Sequence, residues 1–281
     1  METTSATRRT TRPPLACAHW TGLAAFAAAG ALGLWDWGLA VFPLLGFVAL
    51  CGVAPFIPGF GFFFPVTARG TSGQDVVSLT FDDGPDPLAT PALLKLLEAS
   101  GVQATFFVSG RRAASNPELM RAIVEKGHAV GNHSHTHDPF WLFKGSKAIS
   151  REIETAQSVL AAFGIRPLVF RPPSGILGPG LRRPLWRAGL TAVTFSCRGV
   201  DFGNRRLDGL SGKILSKVGP GDIVMLHDIL PGGRSDLDRW LGEVRRILEG
   251  IEDKGLSVVP LRAITGKPTM LLNIGAESIP R

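Results

Sequence analysis

The chain has 281 residues, a formal charge of +7, 45% hydrophobic residues, three cysteines and no tyrosine. That length allows one or two domains, and three cysteines exclude a disulfide framework. From Gly70 onward 26 Lys+Arg face 21 Asp+Glu, an excess too small and dispersed for a nucleic-acid interface but suited to an anionic membrane surface or substrate.

Residues 1–14 form a basic tail with Arg8, Arg9 and Arg12. Residues 15–65 carry one formal charge, Asp36. A bilayer span needs roughly 20 apolar residues, so this stretch is expected to anchor the chain in a membrane as two transmembrane helices, 19–35 and 38–57. Trp35-Asp36-Trp37 is the expected turn, its tryptophans suited to the interface. A basic N-terminus favours the cytoplasm, and a hairpin then returns the rest of the chain to the cytoplasmic face of a bacterial cell membrane, whereas one long span would export it. The hairpin is the expectation here.

Residues 66–75 read as a polar linker. A soluble domain over 76–268 follows, then a tail over 269–281. Strand-like and helix-like stretches alternate through this domain. Strands are expected at 76–81, 104–108, 128–131, 168–170, 192–196, 223–226 and 257–260. The helices between them are marked by Thr90-Pro91, by Asn116-Pro117 and by stopping glycines such as Gly101, Gly127 and Gly164. Seven strands joined by helices imply a buried parallel sheet. About 200 residues in one such run predict an α/β fold closed like a (β/α) barrel, with chemistry at the carboxyl ends of the strands; an open doubly wound sheet is the alternative.

Chemistry-bearing residues fall at those ends. The first strand delivers Asp82-Asp83 before Gly84-Pro85. Neighbouring strand residues point apart, so one carboxylate can hold a metal while the other handles a proton. After the third strand, Asn132-His133-Ser134-His135-Thr136-His137 concentrates three of the six histidines. His133 and His137, at i, i+4, with Asp83 make a three-ligand candidate metal site with open positions, the pattern of a catalytic metal. Arg171-Pro172-Pro173-Ser174 follows the fourth strand and offers a fixed guanidinium that can pair with Asp82. Asp201 follows the fifth strand. His227 ends the apolar sixth, where the competing reading is a satisfied core histidine.

The order TFDDGP, NHSHTH, FRPPSG, a later Asp, then IVMLHD resembles the polysaccharide deacetylase family, the NodB-like deacetylases of carbohydrate esterase family 4, from about Asp75 to Arg262. The resemblance implies a distorted (β/α) barrel of seven or eight parallel strands. It also implies one divalent metal ion, zinc in the usual case, and hydrolysis of the N-acyl group of an amino sugar. Carried over by position, Asp82 matches the catalytic base, Asp83, His133 and His137 the metal ligands, and Arg171 the tether of the base. Ser174 matches the oxyanion N–H, Asp201 the orienting acid and His227 the general acid.

Substrate-facing positions depart from the family pattern. Ser174 stands where an aromatic is usual, Arg198 where an acid is usual, Phe202 in place of a tryptophan, and Met225 in place of the leucine of the acyl pocket. The expected substrate is therefore an N-acylated polysaccharide or other glycan. One alternative is a lipid-linked, undecaprenyl-type amino sugar deacylated or deformylated at the cytoplasmic membrane face. A second is an inactive sugar-binding module, which the complete ligand and acid–base set argues against.

Overall fold

The structure is a computed structural model and describes residues 13–138 and 140–272. The arginines of the expected basic tail and residues 273–281 of the expected C-terminal tail lie outside the described residues.

The chain opens with two antiparallel-running helices, α1 (Cys17–Gly33) and α2 (Val41–Val53), which pack on each other. The Asp36 carboxylate accepts the Gly38 N–H at 2.8 Å and fixes the turn between them. Neither helix meets the expectation of a membrane span. They have 17 and 13 residues, and at 1.5 Å per residue each falls short of a hydrocarbon core of about 30 Å. No described helix is long and apolar enough to cross a membrane. The physical reason is that residues 34–40 are spent on the turn, while α2 ends in a 3-10 turn at Ala54–Phe56 that contains Pro55. The hairpin is not detached from the rest: Ala54, Phe62, Phe63 and Phe64 are buried in one cluster with Trp141, Phe170, Leu181 and Leu185.

Residues 66–75, read as a linker, supply the edge strand β1 (Val66–Thr67). Then come β2 (Val76–Asp82), α3 (Ala89–Ala99), β3 (Thr105–Val108), α4 (Gly110–Ser115), α5 (Pro117–Glu125), β4 (Ala129–Asn132), α6 (Ser146–Ala161), β5 (Ile165–Pro167) and β6 (Val169–Phe170). The remainder is α7 (Arg182–Ala188), β7 (Thr191–Val193), β8 (Cys197–Arg198), α8 (Leu210–Leu215), β9 (Ile223–His227), α9 (Leu237–Asp253), β10 (Ser257–Val258), α10 (Leu261–Thr265) and β11 (Met270–Leu272).

One parallel sheet runs in the order β1-β7-β6-β4-β3-β2-β9-β8, with β10 also paired to β2. All seven expected strands lie in it; β1 and β8 join them. It curls into a half-barrel whose end strands are not paired to each other. β5 and β11 pair antiparallel beside it. Strands buried on both faces need apolar runs, and β2, β3 and β9 supply them: Val77, Leu79, Phe81, Phe106, Phe107, Val224 and Leu226 are fully buried. The register then levels the strand ends: Asp82 pairs with His227 across β2 and β9, and Asn132 with Phe170 across β4 and β6. The residues just beyond, Asp83, His133 and Arg171, therefore emerge on one rim.

Candidate metal centre and acid–base pairs

Asp83, His133 and His137 converge, each offering one ligand atom within 4.8 Å of the others. The Asp83 Oδ1 lies 3.3 Å from His133 Nε2 and 2.9 Å from His137 Nε2. His133 Nδ1 sits 2.7 Å from the Arg171 carbonyl oxygen. That oxygen can only accept, so Nδ1 carries the proton and Nε2 turns a lone pair toward the carboxylate. Two lone pairs facing one another call for a cation between them, and Asp83 Oδ1 is buried with no hydrogen-bond donor. The donor set fits a divalent ion.

Burial opposes ionisation of Asp83, but the two imidazoles hold its carboxyl well below the usual carboxylate range. His137 is pulled the opposite way by burial, and its contact with Asp83 prevails and raises it. A proton on His137 therefore competes with a metal ion. Zinc affinity is expected to fall about tenfold for each pH unit below the His137 pKa, as one proton is exchanged per ion; titration against a chromophoric chelator between pH 5 and 8 measures it, and a flat profile would refute the assignment.

The ligand loop is held by groups that sequence reasoning missed. Ser134 and His137 adopt positive φ, 66° and 52°, costly for residues with a side chain. Glu152 on α6 holds the loop between them: its Oε2 accepts the N–H groups of His135 (3.2 Å) and Thr136 (2.8 Å) and the Thr136 hydroxyl (2.9 Å). Asn132 accepts the Ser134 N–H at 2.8 Å and donates to the Ile153 carbonyl. No local signal distinguishes Glu152 from the solvated acids of an amphipathic helix. Glu152→Ala should weaken zinc binding by about tenfold, as loss of an outer-shell partner does, with Glu152→Gln recovering part of it. Chelator competition reads both; unchanged affinity in the alanine variant would remove Glu152 from this role.

Gly84 is fixed by close approach. A Cβ there would lie 2.9 Å from the Asp228 carboxyl carbon, so no larger residue fits behind Asp83. Asp228 is fully buried, accepts the Thr90 hydroxyl at 2.7 Å, and is pushed by burial well above the carboxylate range.

Beside the ligands lies the first acid–base pair. Asp82 Oδ1 is 2.6 Å from Arg171 Nη1. Arg171 is fully buried and also donates to the Thr80 hydroxyl (2.8 Å) and to the carbonyls of Thr194 (2.6 Å) and Val193 (3.3 Å), with its Cζ 4.1 Å from the Phe107 ring. A guanidinium so satisfied is immobile, and it fixes the Asp82 carboxylate with it. The second pair is His227 and Asp201, Nδ1 to Oδ2 at 2.8 Å. Burial disfavours the imidazolium, yet the bond to Asp201 and the charges of Asp201, Asp83 and Asp82 raise the His227 pKa to about 9. Asn204 steadies the strand end by donating to the His227 and Ile229 carbonyls.

A pocket of about 590 Å³ contains Asp82, Asp83, His133, His137, Asp201 and His227 together. Ser174 (φ 61°), Met225 and Phe202 also line it, Met225 nearly buried and Phe202 half-exposed. Every residue singled out from sequence for chemistry borders the pocket except Arg171, which reaches it through Asp82. Arg111, Arg112, Arg198 and Arg205 stand around it.

The chain is similar to known deacetylases. Residues 69–193 match the family model described as polysaccharide deacetylase. The chain is 33% identical over 198 residues to a chitooligosaccharide deacetylase of Sinorhizobium fredii, covering 68% of this chain and 92% of that one. It is 29% identical over 196 residues to a peptidoglycan-N-acetylglucosamine deacetylase of Bacillus cereus, covering 69% and 90%. Among solved structures it is similar to the Bc1960 peptidoglycan N-acetylglucosamine deacetylase (27% identical, TM-score 0.66, 73% of this chain and 94% of that one). It is also similar to the family 4 carbohydrate esterase from Streptomyces lividans in complex with acetate (35% identical, TM-score 0.58, 65% and 91%).

Proposed function

Since the chain belongs to the polysaccharide deacetylase family, a family of hydrolases acting on carbon–nitrogen bonds other than peptide bonds, we propose that it removes the N-acetyl group from an N-acetylglucosamine-type residue of a glycan, with zinc as its divalent ion. One observation carries this reading: two charged pairs, Arg171–Asp82 and Asp201–His227, flank a single Asp-His-His cation site in one pocket.

Asp83, His133 and His137 would hold the ion, which supplies Lewis acidity that lowers the pKa of water and polarises an amide carbonyl. The remaining steps fall to this chain's own groups. Asp82, aimed by Arg171, takes the proton of the attacking water. The Ser174 backbone N–H meets the developing oxyanion. His227, charged and oriented by Asp201, gives its proton to the departing amine, which leaves poorly without one. The C–N bond breaks, and free amine and acetate are the products.

A second reading, a lipid-linked amino sugar, is favoured by the apolar hairpin: Trp20, Phe26, Trp35, Trp37 and Phe42 are all exposed on or beside α1 and α2. Such a surface fits insertion into one leaflet, with the catalytic domain at the cytoplasmic face of a cell membrane. An assay of acyl release from chitooligosaccharide, peptidoglycan and a lipid-linked amino sugar, with zinc and with chelator, tests the activity. Release that chelator abolishes and zinc restores is expected; none on any substrate with zinc present overturns the proposal. Alkaline phosphatase activity in a C-terminal fusion would overturn the cytoplasmic placement.

A further inference from the structure

The half-barrel leaves a seam between its two end strands, and the seam is not filled. Val66 and Thr67 of β1 and Arg198 of β8 line a cavity of about 860 Å³ that also takes in Pro58, Lys217 and Lys267. It adjoins the catalytic pocket: Phe195, Arg198 and Val200 line both. The Arg198 guanidinium lies over the Phe195 ring, 5.1 Å from its centre, at this junction.

The charges in the seam are one-sided. Arg69 is answered by the buried Asp222 at 2.5 Å. Among the described residues no carboxylate pairs with Arg198, Lys217 or Lys267. Solvated surface cations commonly lack partners, but these three line a concave site that opens onto a substrate pocket. Concave walls of low dielectric focus such a field on whatever enters. One carboxylate would be matched by one guanidinium, whereas three cations and several donors suit the oxygens of a phosphate ester. Pro58 and Gly59, in the segment that leads out of the apolar hairpin, also line the cavity.

We propose that the seam cavity is an anion subsite for a phosphate ester carried by the substrate sugar, with Arg198, Lys217 and Lys267 as its counter-ions and the N-acyl group of the same sugar in the catalytic pocket. This rests on the deacylase reading above and narrows its substrate to a phosphorylated amino sugar. Two sources share that chemistry: a sugar joined through phosphate to a lipid that follows the hairpin, and a polymer with phosphodiester links.

The test uses the full zinc-loaded chain, the variant Lys217→Glu/Lys267→Glu, and a control of equal charge change at lysines that line neither pocket, Lys95→Glu/Lys254→Glu. The probes are N-acetylglucosamine 1-phosphate, its methyl and decyl phosphodiesters, and neutral chitotetraose. The ratio of KM for the methyl diester to KM for chitotetraose should rise about tenfold or more in the seam variant, the loss of two charge-assisted contacts, and stay within about twofold in the control, whose lysines line neither pocket. Equal ratios in the two variants overturn the subsite. Calorimetric binding of N-acetylglucosamine 1-phosphate, lost in the seam variant alone, reads the subsite without turnover. A chain that binds the probe this way yet releases no acyl group from any substrate therefore keeps the subsite and refutes the deacylase reading. Tighter binding of the decyl than the methyl diester identifies the lipid source, equal binding the polymer, and either result supports the phosphate site; no binding of any phosphorylated probe overturns it.

Discussion

Asp82→Asn should lower kcat on a chitooligosaccharide by about 10³-fold, in the range that a general base contributes, while zinc affinity stays within about threefold because none of the three ligands is touched. The amide keeps the shape of the carboxylate and can still accept from Arg171, 2.6 Å away, but it cannot hold a proton taken from water. The substitution has a second effect. Arg171 is fully buried and Asp82 is its one ion-pair partner among the described residues, so removing the negative charge strands a buried cation. Breaking such a pair costs about 3 kcal/mol, and the urea midpoint should drop accordingly. The two effects separate by measurement: kcat at saturating zinc on folded protein reports the base, and the unfolding curve reports the pair. Activity within tenfold of the parent would place the base elsewhere.

Asp201→Asn should move the alkaline limb of the pH–rate profile. His227 must be protonated to act as the acid, so kcat/KM falls as pH rises through its pKa, about 9 in the parent. Burial lowers that pKa, and the bond to Asp201 with its charge, aided by the charges of Asp83 and Asp82, outweighs it. Without the carboxylate the limb should fall toward the ordinary imidazole value of about 6.5. At pH 8 the variant should then lose most of its activity, by about thirtyfold from protonation alone, while regaining a larger share of parental activity near pH 6. A uniform loss at every pH would mean that Asp201 only positions the ring. An unmoved limb would exclude His227 as the titrating acid.

Much of this arrangement was legible in the sequence because it is written locally. Asp82-Asp83, His133 and His137, Arg171, Asp201 and His227 each follow an apolar run, and strand ends in a parallel sheet share a rim once the register is set. What stayed hidden depends on residues distant in sequence. Glu152 sits in a helix whose one other acid, Glu154, is exposed, and its partners are two main-chain N–H groups and one hydroxyl of a loop distant from it in sequence. β1 and β8 are two residues long and show no alternation to read. The stretch before the domain is expected as a transmembrane hairpin; two helices with a turn are present, but neither has spanning length, because residues 34–40 go to the turn. The seam cavity could not be foreseen from β8 or β1 alone, since it exists only where the two sheet ends fail to meet.

The edge strand β1 also sets an order of events in time. Val66 is made early, yet its partner across the sheet is Ala192, most of a domain later. Closing so long a loop has an entropic cost that is met only after the intervening strands have condensed. Until then, Phe62, Phe63 and Phe64, which end in the same buried cluster as Phe170 and Leu185, have only the earlier-made hairpin residues of that cluster, such as Phe47 and Leu50, to pack against. During synthesis the apolar hairpin and this phenylalanine run are thus presented together without their later partners, and whatever first receives them does so before a catalytic pocket exists.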